Sequence, residues 1–443
     1  MAVTNIFQTS DLVINDIIDD YSNSLGTTYL ATPFNNFNDN ATVGTSMRAT
    51  YPLRFQAVDT LAVTDSDYNS SVDRYVNIAL TTETAVPISI TAKQMTFSSS
   101  TVTGDEFMKK FGNPMAIAAA NRINAANLSA LELIFTDAIG DPTAALNGIT
   151  TLTTVNAQAA NMAISRKYGL GDLYMGLSPN TIGQLKIPYA TYFNEGVNSP
   201  ILKNATTDSA TLSGVHCYQD EQMIVHTNGT FATGGSVTVA ANVTSGTIND
   251  TSTAVNLEGF TASQTGVLVV GDLIYFGSTG NYVNAINPLA YNAYGNPKKF
   301  VVLEDVDSDG AGDATVNVFP PIVSTATDPY RNVSRQVVSG DVVTLFGGAN
   351  TTYTKNFCFV RPALQFANPK VATYPISGKD GQKLSAYPHE QTIVETVPET
   401  DLRIAFNIAA QGDLNAFENN LITRSISGFT AFNGYGFVVA SSI

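Results

Sequence analysis

The chain has 443 residues, of which 44% are hydrophobic and only 13% charged, and 22 Lys and Arg against 37 Asp and Glu leave a net charge of -15. A prior of about 150 residues per domain makes it roughly three units, or one domain carrying insertions. With no basic tract to neutralise a phosphate backbone, specific nucleic-acid binding is excluded as the main task. So few charges point to surface covered by other subunits, or to exposed faces that are neutral-polar and rich in Thr and Asn.

The start, Met1 to Tyr21, has no Lys or Arg ahead of its apolar positions and no small-residue cleavage site, unlike a secretory signal. The longest apolar run, Val267 to Phe276, contains Gly271 and Asp272 and is too short to span a bilayer. Cys217 and Cys358 lack C-x-x-C spacing, which suits a reducing cytosol, and no bridge is expected.

In chain order, residues 10–22 predict an amphipathic helix capped by Ser10, with Leu12, Val13, Ile17 and Tyr21 on one face and Asp11, Asp16, Asp19 and Asp20 on the other. Aspartates near its C-terminal end oppose the helix dipole, so solvent or a basic partner explains them better than helix stability does. Thr45 to Phe97 reads as β, with Tyr75–Leu80 and Val86–Thr91 alternating at period two and joined by the polar turn Thr81 to Thr84. Such a two-stranded excursion is marginal alone and is expected to lie on a neighbour.

Gly104 to Ile139 is the strongest helical region, restarting at Gly112-Asn113-Pro114 and ending at Gly140-Asp141-Pro142. Its expected apolar face is Ile117, Ala120, Leu128, Leu131 and Phe135. Next come a short strand from Leu173 to Met175, a helix start at Ser178-Pro179, and Leu212-Ser213-Gly214-Val215-His216-Cys217-Tyr218 closing near His226-Thr227-Asn228-Gly229. From Gly234 to Val323 the texture changes to short Thr/Val/Gly-rich strands: Leu268–Phe276, Lys299–Leu303 and Ala314–Val318, then Pro320-Pro321-Ile322. Frequent turns without a helical period predict a small antiparallel barrel inserted between helix-and-strand segments.

The order of these parts resembles the major capsid proteins of tailed bacteriophages with the Hong Kong 97-type fold, in the Salmonella podophage P-twenty-two-like branch that carries an inserted β domain. Within the insertion the resemblance rests on Gly271-Asp272 and Pro320-Pro321-Ile322-Val323. After it, the resemblance rests on Asn332-Val333, Gly340-Asp341-Val342-Val343-Thr344 and Asn356-Phe357-Cys358-Phe359-Val360-Arg361-Pro362-Ala363-Leu364. It covers about residues 5–375, and the segment from Asp401-Leu402-Arg403 onward departs from the family pattern.

The resemblance implies an α+β fold with an N-terminal arm (1–44), an extended β-hairpin loop (45–97), a spine helix with the peripheral domain (98–150), and an apical domain (151–233). An inserted barrel-like β domain (234–331) follows, and then a return to the apical and peripheral domains with a C-terminal tail (332–443). It further implies pentamers and hexamers of an icosahedral shell assembled in host cytoplasm. The partners it implies are a scaffolding protein, a portal protein and double-stranded DNA packaged without sequence-specific binding. No membrane partner, cofactor or enzymatic activity is implied. Arg54, Arg74 and Lys93 become candidate inter-subunit contacts, and Asp11, Asp16, Asp19 and Asp20 a candidate docking face for a basic scaffold segment.

Motifs for other chemistry are sparse. Asp305, Asp307, Asp309, Gly310 and Asp313 have D-x-D-x-D-G spacing, but Val316 stands where a calcium loop needs a bidentate Glu, and an Asp/Gly hairpin turn has the same composition. His216 beside Cys217 invites a nucleophile reading, yet neighbours on a strand face opposite ways. His389-Glu390 lacks the second histidine of a zinc-protease helix, and no phosphate-binding or nucleophile-elbow motif occurs. A secreted, acidic, β-rich surface-layer or adhesin-like protein is the alternative of a different class, and a carbohydrate-active β enzyme would need a carboxylate pair in a cleft.

Overall fold

The computed structural model describes residues 21, 24–34, 46–51, 74–91, 113–145, 173–192, 209–212, 215–287, 291–369, 375–377, 383–385, 389–396, 403–413 and 418–443. The chain divides into two compact units, one from Met1–Met47, Asn77–Leu128 and Leu364–Thr430, the other from Arg48–Val76, Ser129–Ala363 and Ala431–Ile443.

The first unit is organised by the strand Glu418–Ala431, 14 residues long, which lies between Leu364–Ala367 and Arg403–Asp413, with His389–Thr396 at the outer edge. Thr82–Thr91 also pairs with it, from Glu418↔Thr91 to Ser427↔Thr82. This corrects the expected hairpin, because Tyr75–Ala79 pairs with Ser46–Thr50 instead. A strand of 10 residues has more ladder groups than a 5-residue neighbour can satisfy, and Glu418–Ala431 matches it along its length. The stretch after residue 375, where the family pattern fails, thus supplies much of this sheet.

The helix Asn113–Ile134 begins at the predicted restart, with Pro114 in its first turn. In the first unit its buried side is Met115, Ala116, Ala119, Ala120, Ile123 and Leu128, together with Asn124 and Asn127. The two amides are satisfied by Thr28, whose hydroxyl donates to Asn124 Oδ1 at 3.0 Å and accepts from Asn127 Nδ2 at 2.9 Å. Ile117, placed by the sequence on the apolar face, is 37% exposed: it stands one 100° step beyond the Ala116–Ala120 row.

The helix also stops earlier than its pattern implied. The Asn433 side-chain amide donates to the Ile134 carbonyl, Val438 N donates to Asp137 O at 2.8 Å, and Ala138–Gly140 becomes a strand parallel to Gly436–Ser442. Continuing the helix would forfeit those sheet bonds.

The second unit is built on a seven-stranded sheet ordered Ala138–Gly140, Gly436–Ser442, Thr352–Val360, Leu173–Leu177, Val215–Gln219 and Ser209–Leu212, with Ile224–Thr227 pairing the other end of Thr352–Val360. The central strand Thr352–Val360 is buried on both faces. One face carries Cys358 into a core with Met175, Leu185, Cys217, Phe437 and Val439. The other carries Phe357 against Phe135, with ring centroids 6.2 Å apart. Ser178 stands before the helix Pro179–Tyr192, at the start the sequence indicated, and caps it: its hydroxyl accepts from Thr181 N at 3.3 Å.

From this sheet the chain makes an excursion that leaves after Thr227 and returns at Thr352, two residues directly opposite each other, with hydroxyl oxygens 3.0 Å apart. Within it Thr233–Val239, Thr253–Phe260, Ala314–Phe319, Phe300–Val302, Leu273–Phe276 and Val343–Leu345 form an antiparallel sheet in that spatial order. Its outer strands meet through a Thr238↔Val342 bridge and a 2.9 Å bond from Val239 N to Asp341 O. Alternate residues, among them Val237, Val239, Val255, Leu257, Ile274, Phe276, Phe300, Val302, Val316 and Val318, fill the interior. Each is worth about 1.5–3 kcal/mol when fully buried.

Two expectations are corrected within the excursion. The sixth strand, Val343–Leu345, pairs with Leu273–Phe276, whereas the family resemblance places Gly340 to Thr344 in the return. Leu268–Phe276 is not one strand, because a turn at Val269–Asp272 splits it: Asp272 N donates to Val269 O at 3.0 Å with Gly271 at φ +93°. The same Val-x-Gly-Asp turn recurs at Val338–Asp341, with Gly340 at φ +85°.

Candidate functional site

At the root of the excursion the second unit brings together four ionisable side chains that lie far apart in sequence, three of them buried and Glu132 partly buried. Glu132 comes from the last turn of the long helix, His226 from Ile224–Thr227, Asp272 from the Val269–Asp272 turn and Lys355 from the central strand. Strand register brings the last pair of strands together. Tyr353 is opposite His226 and Lys355 opposite Ile224, so Tyr353 and Lys355, two apart, share the face that His226 occupies.

Lys355 Nζ donates to Glu132 Oε1 at 2.7 Å and to the Gly271 carbonyl at 2.6 Å. His226 lies between two carboxylates, with Nδ1 3.0 Å from Glu132 Oε1 and Nε2 2.9 Å from Asp272 Oδ1. Asp272, fully buried, also accepts from Val269 N at 2.8 Å and Gly229 N at 3.2 Å. The edge of the His226 ring meets Tyr353 at 5.7 Å between centroids.

Gly271 fits this corner twice over. Its φ is +93°, and a Cβ there would lie 2.6 Å from Glu132 Oε1 and 3.0 Å from His226 Cε1. The Gly271-Asp272 pair, read from the sequence only as a family motif, thus combines a left-handed turn residue with a buried acceptor.

Both ring nitrogens of His226 face carboxylate oxygens, and only the imidazolium can donate on both sides. Burial opposes charge on His226, but the hydrogen bonds to Asp272 and Glu132 outweigh it and raise the imidazole pKa above its ordinary value. Burial would likewise raise the Glu132 carboxyl, yet the His226 hydrogen bond and the Lys355 charge hold it below the usual carboxylate range. Burial pulls the Lys355 amine down, opposed by Glu132. With His226 protonated the four charges sum to zero.

The two carboxylates sit on opposite sides of the imidazole and do not converge on a common point. Among the described residues no group of three or more His, Cys, Asp or Glu could hold a metal ion. A second tie lies nearby, where Lys298 Nζ contacts Asp137 Oδ1 at 2.9 Å and Lys299 Nζ donates to Ala138 O at 2.8 Å.

The residues singled out from the sequence fall elsewhere. Asp11, Asp16, Asp19, Asp20, Arg54 and Lys93 lie outside the described residues. Arg74 is buried with its guanidinium 3.9 Å above the Tyr51 ring, so its charge is already engaged within the chain. The aspartates of the D-x-D-x-D-G segment accept from different donors: Asp305 from Val270 N at 2.8 Å, Asp307 from Gly266 N at 2.7 Å, and Asp309 from Ala311 N and Asp313 N at 2.8 and 2.9 Å. They act as turn acceptors.

His216 stacks on Tyr174 at 5.2 Å while its neighbour Cys217 points into the core, the opposite facing expected of a strand. Both cysteines are free and buried. No helix among the described residues is long and apolar enough to cross a membrane.

No known family profile matches the chain. It is 30% identical over 180 residues to the major capsid protein of Acyrthosiphon pisum secondary endosymbiont phage 1, a match covering 38% of this chain and 42% of that protein. The chain therefore spans less than half the length of the curated relative it matches. Among solved structures, Mycobacterium phage Che8 aligns over 93% of this chain and 89% of its own with a TM-score of 0.43 and 7% identity. The cyanophage Pam1 capsid asymmetric unit aligns over 93% and 88% with a TM-score of 0.41 and 9% identity.

Proposed function

We propose that the chain is a phage major capsid protein, a structural subunit that assembles into an icosahedral head around double-stranded DNA. The observation that carries this reading is the 30% identity to a phage major capsid protein over 180 residues. The ordered motifs of the P-twenty-two-like branch support the finer assignment: a Hong Kong 97-type fold whose inserted β domain is the excursion between Thr227 and Thr352. A subunit of this kind needs only weak individual contacts, because closed symmetry multiplies them. Its low charge content suits large buried inter-subunit surfaces.

Electron microscopy of the expressed chain, alone and with the neighbouring genes of its source, tests the reading. Shells, rings or polyheads are expected. Monomers under both conditions would overturn it, and monomers that bind glycans would favour the adhesin-like alternative.

Scaffolding and portal proteins are the partners that the reading adds, with the virion as location. The acidic positions Asp11, Asp16, Asp19 and Asp20 would attract a basic scaffold segment, and Arg54 and Lys93 would face acidic neighbours in the shell. Exposed charges are screened beyond about 10 Å at 0.1 M salt, so scaffold uptake is expected to weaken as salt rises. Replacing the four aspartates by Asn should reduce co-sedimentation of scaffold with assembling shells at low salt. Unchanged uptake would dispose of the docking role.

A further inference from the structure

We propose that His226 is a proton-operated latch: as the imidazolium bridging Glu132 and Asp272 it holds the root of the excursion on the seven-stranded sheet, and on losing its proton it releases that root. The argument starts from geometry. Carboxylate oxygens stand 3.0 and 2.9 Å from the two ring nitrogens, and a neutral imidazole has one N–H, so deprotonation turns one of these contacts into a lone pair facing an anion.

Among the described residues, the charged and titratable groups around the ring belong to the same device. Glu132 reaches it from the helix, Asp272 from the Val269–Asp272 turn, and Lys355 and the Tyr353 phenol from the central strand. Proton loss takes the buried sum from zero to one negative charge, which the low-dielectric interior penalises. The strain falls on Asp272, whose carboxylate also holds Val269 N and Gly229 N. Those amides lie where the excursion meets the strand Ile224–Thr227, so the cost of the lost proton is relieved by opening that junction.

The direction with pH follows from the raised folded-state pKa of His226. Its contribution is complete below the free-imidazole value of about 6.5 and disappears as pH rises through the higher folded value. Glu132, depressed in the folded state, sets the other limit, since its contribution is lost as pH falls through its folded pKa. The latch is therefore closed between the depressed folded value of Glu132 and the raised folded value of His226, and it opens as pH rises through the latter. It is a property of the chain itself and does not depend on the capsid reading.

Hydrogen exchange of the full chain, followed by mass spectrometry and corrected for intrinsic base catalysis, tests the latch in peptides covering 227–231 and 268–273. Exchange there is expected to step up as pH rises through the raised folded value of His226, by about tenfold for each unit by which that value exceeds the one for free imidazole. His226→Gln should show fast exchange at every pH with no step. His216→Gln, altered at the ring stacked on Tyr174, should retain the step. A step that persists in His226→Gln, or none in the unmodified chain, would overturn the latch.

Should His226→Gln fail to fold, the unmodified chain still decides. With 3 histidines, isotope-labelled imidazole resonances can be assigned by the His216 variant and by His389→Gln. A His226 titration at or below about 6.5 would refute the proposal.

Discussion

Lys355→Met is expected to lower the unfolding free energy of the chain by about 3–5 kcal/mol, the usual cost of removing one partner from a buried ion pair. Lys355 is 1% exposed, and among the described residues its ammonium is the only cation besides His226 that contacts the Glu132 carboxylate. It also satisfies the buried Gly271 carbonyl. Methionine fills much of the same volume, so the loss is electrostatic and not a cavity effect. Urea denaturation gives the comparison.

The double variant Lys355→Met/Glu132→Leu should recover part of the loss, because it removes the stranded carboxylate as well. A double variant no more stable than the single would mean that packing, and not the unpaired charge, accounts for the effect.

Asp272→Ala should cost a similar amount, about 3–5 kcal/mol, whereas Asp341→Ala should cost about 1–2 kcal/mol. The two occupy the same position in the same Val-x-Gly-Asp turn, which makes the contrast informative. Each carboxylate accepts from the first residue of its turn, Val269 N at 2.8 Å and Val338 N at 2.9 Å. They differ in what else they hold. Asp272, at 0% exposure, also holds His226 and Gly229 N, and truncation leaves these without an acceptor where water does not reach. Asp341 holds Arg335 by two bonds of 2.8 and 2.7 Å, but that arginine is 26% exposed and water can take over. Equal losses in the two variants would show that the turn itself, and not burial, sets the cost.

Several elements were legible in the sequence because local rules decide them. Pro114 and Ser178-Pro179 each marked a helix start. The Phe300–Val302 and Ala314–Phe319 strands were legible as short apolar runs joined by an Asp/Gly turn, and they pair as neighbours with Val302 opposite Val318. The prospective partners of Thr82–Thr91 were not legible. Period two identifies a strand and the face it buries, but it does not say which strand lies alongside, and here the partner is more than three hundred residues away in the chain at Glu418–Ala431.

The buried cluster escaped the sequence reading for a related reason. Glu132 and Lys355 belong to no motif, and His226 enters the sequence pattern only as the close of a segment. None carries a spacing signal, since the four residues meet only once the excursion has left at Thr227 and come back at Thr352. The one local trace was Gly271-Asp272, where a glycine needing positive φ precedes an acid, and the second such pair at Gly340-Asp341 shows that this trace marks a turn and not the cluster itself.

By itself the sequence determined the type of several elements, the acidic low-charge composition, the unbridged state expected of Cys217 and Cys358, and the change to short strands after Gly234. Each of these depends on a residue and its near neighbours. Only the tertiary structure decided which strands pair, that Val343–Leu345 completes the excursion's sheet, that Arg74 lies spent against Tyr51, and that an imidazole stands between two carboxylates. Those outcomes depend on desolvation and on hydrogen-bond partners brought together by chain closure, and neither quantity exists until distant segments are in contact.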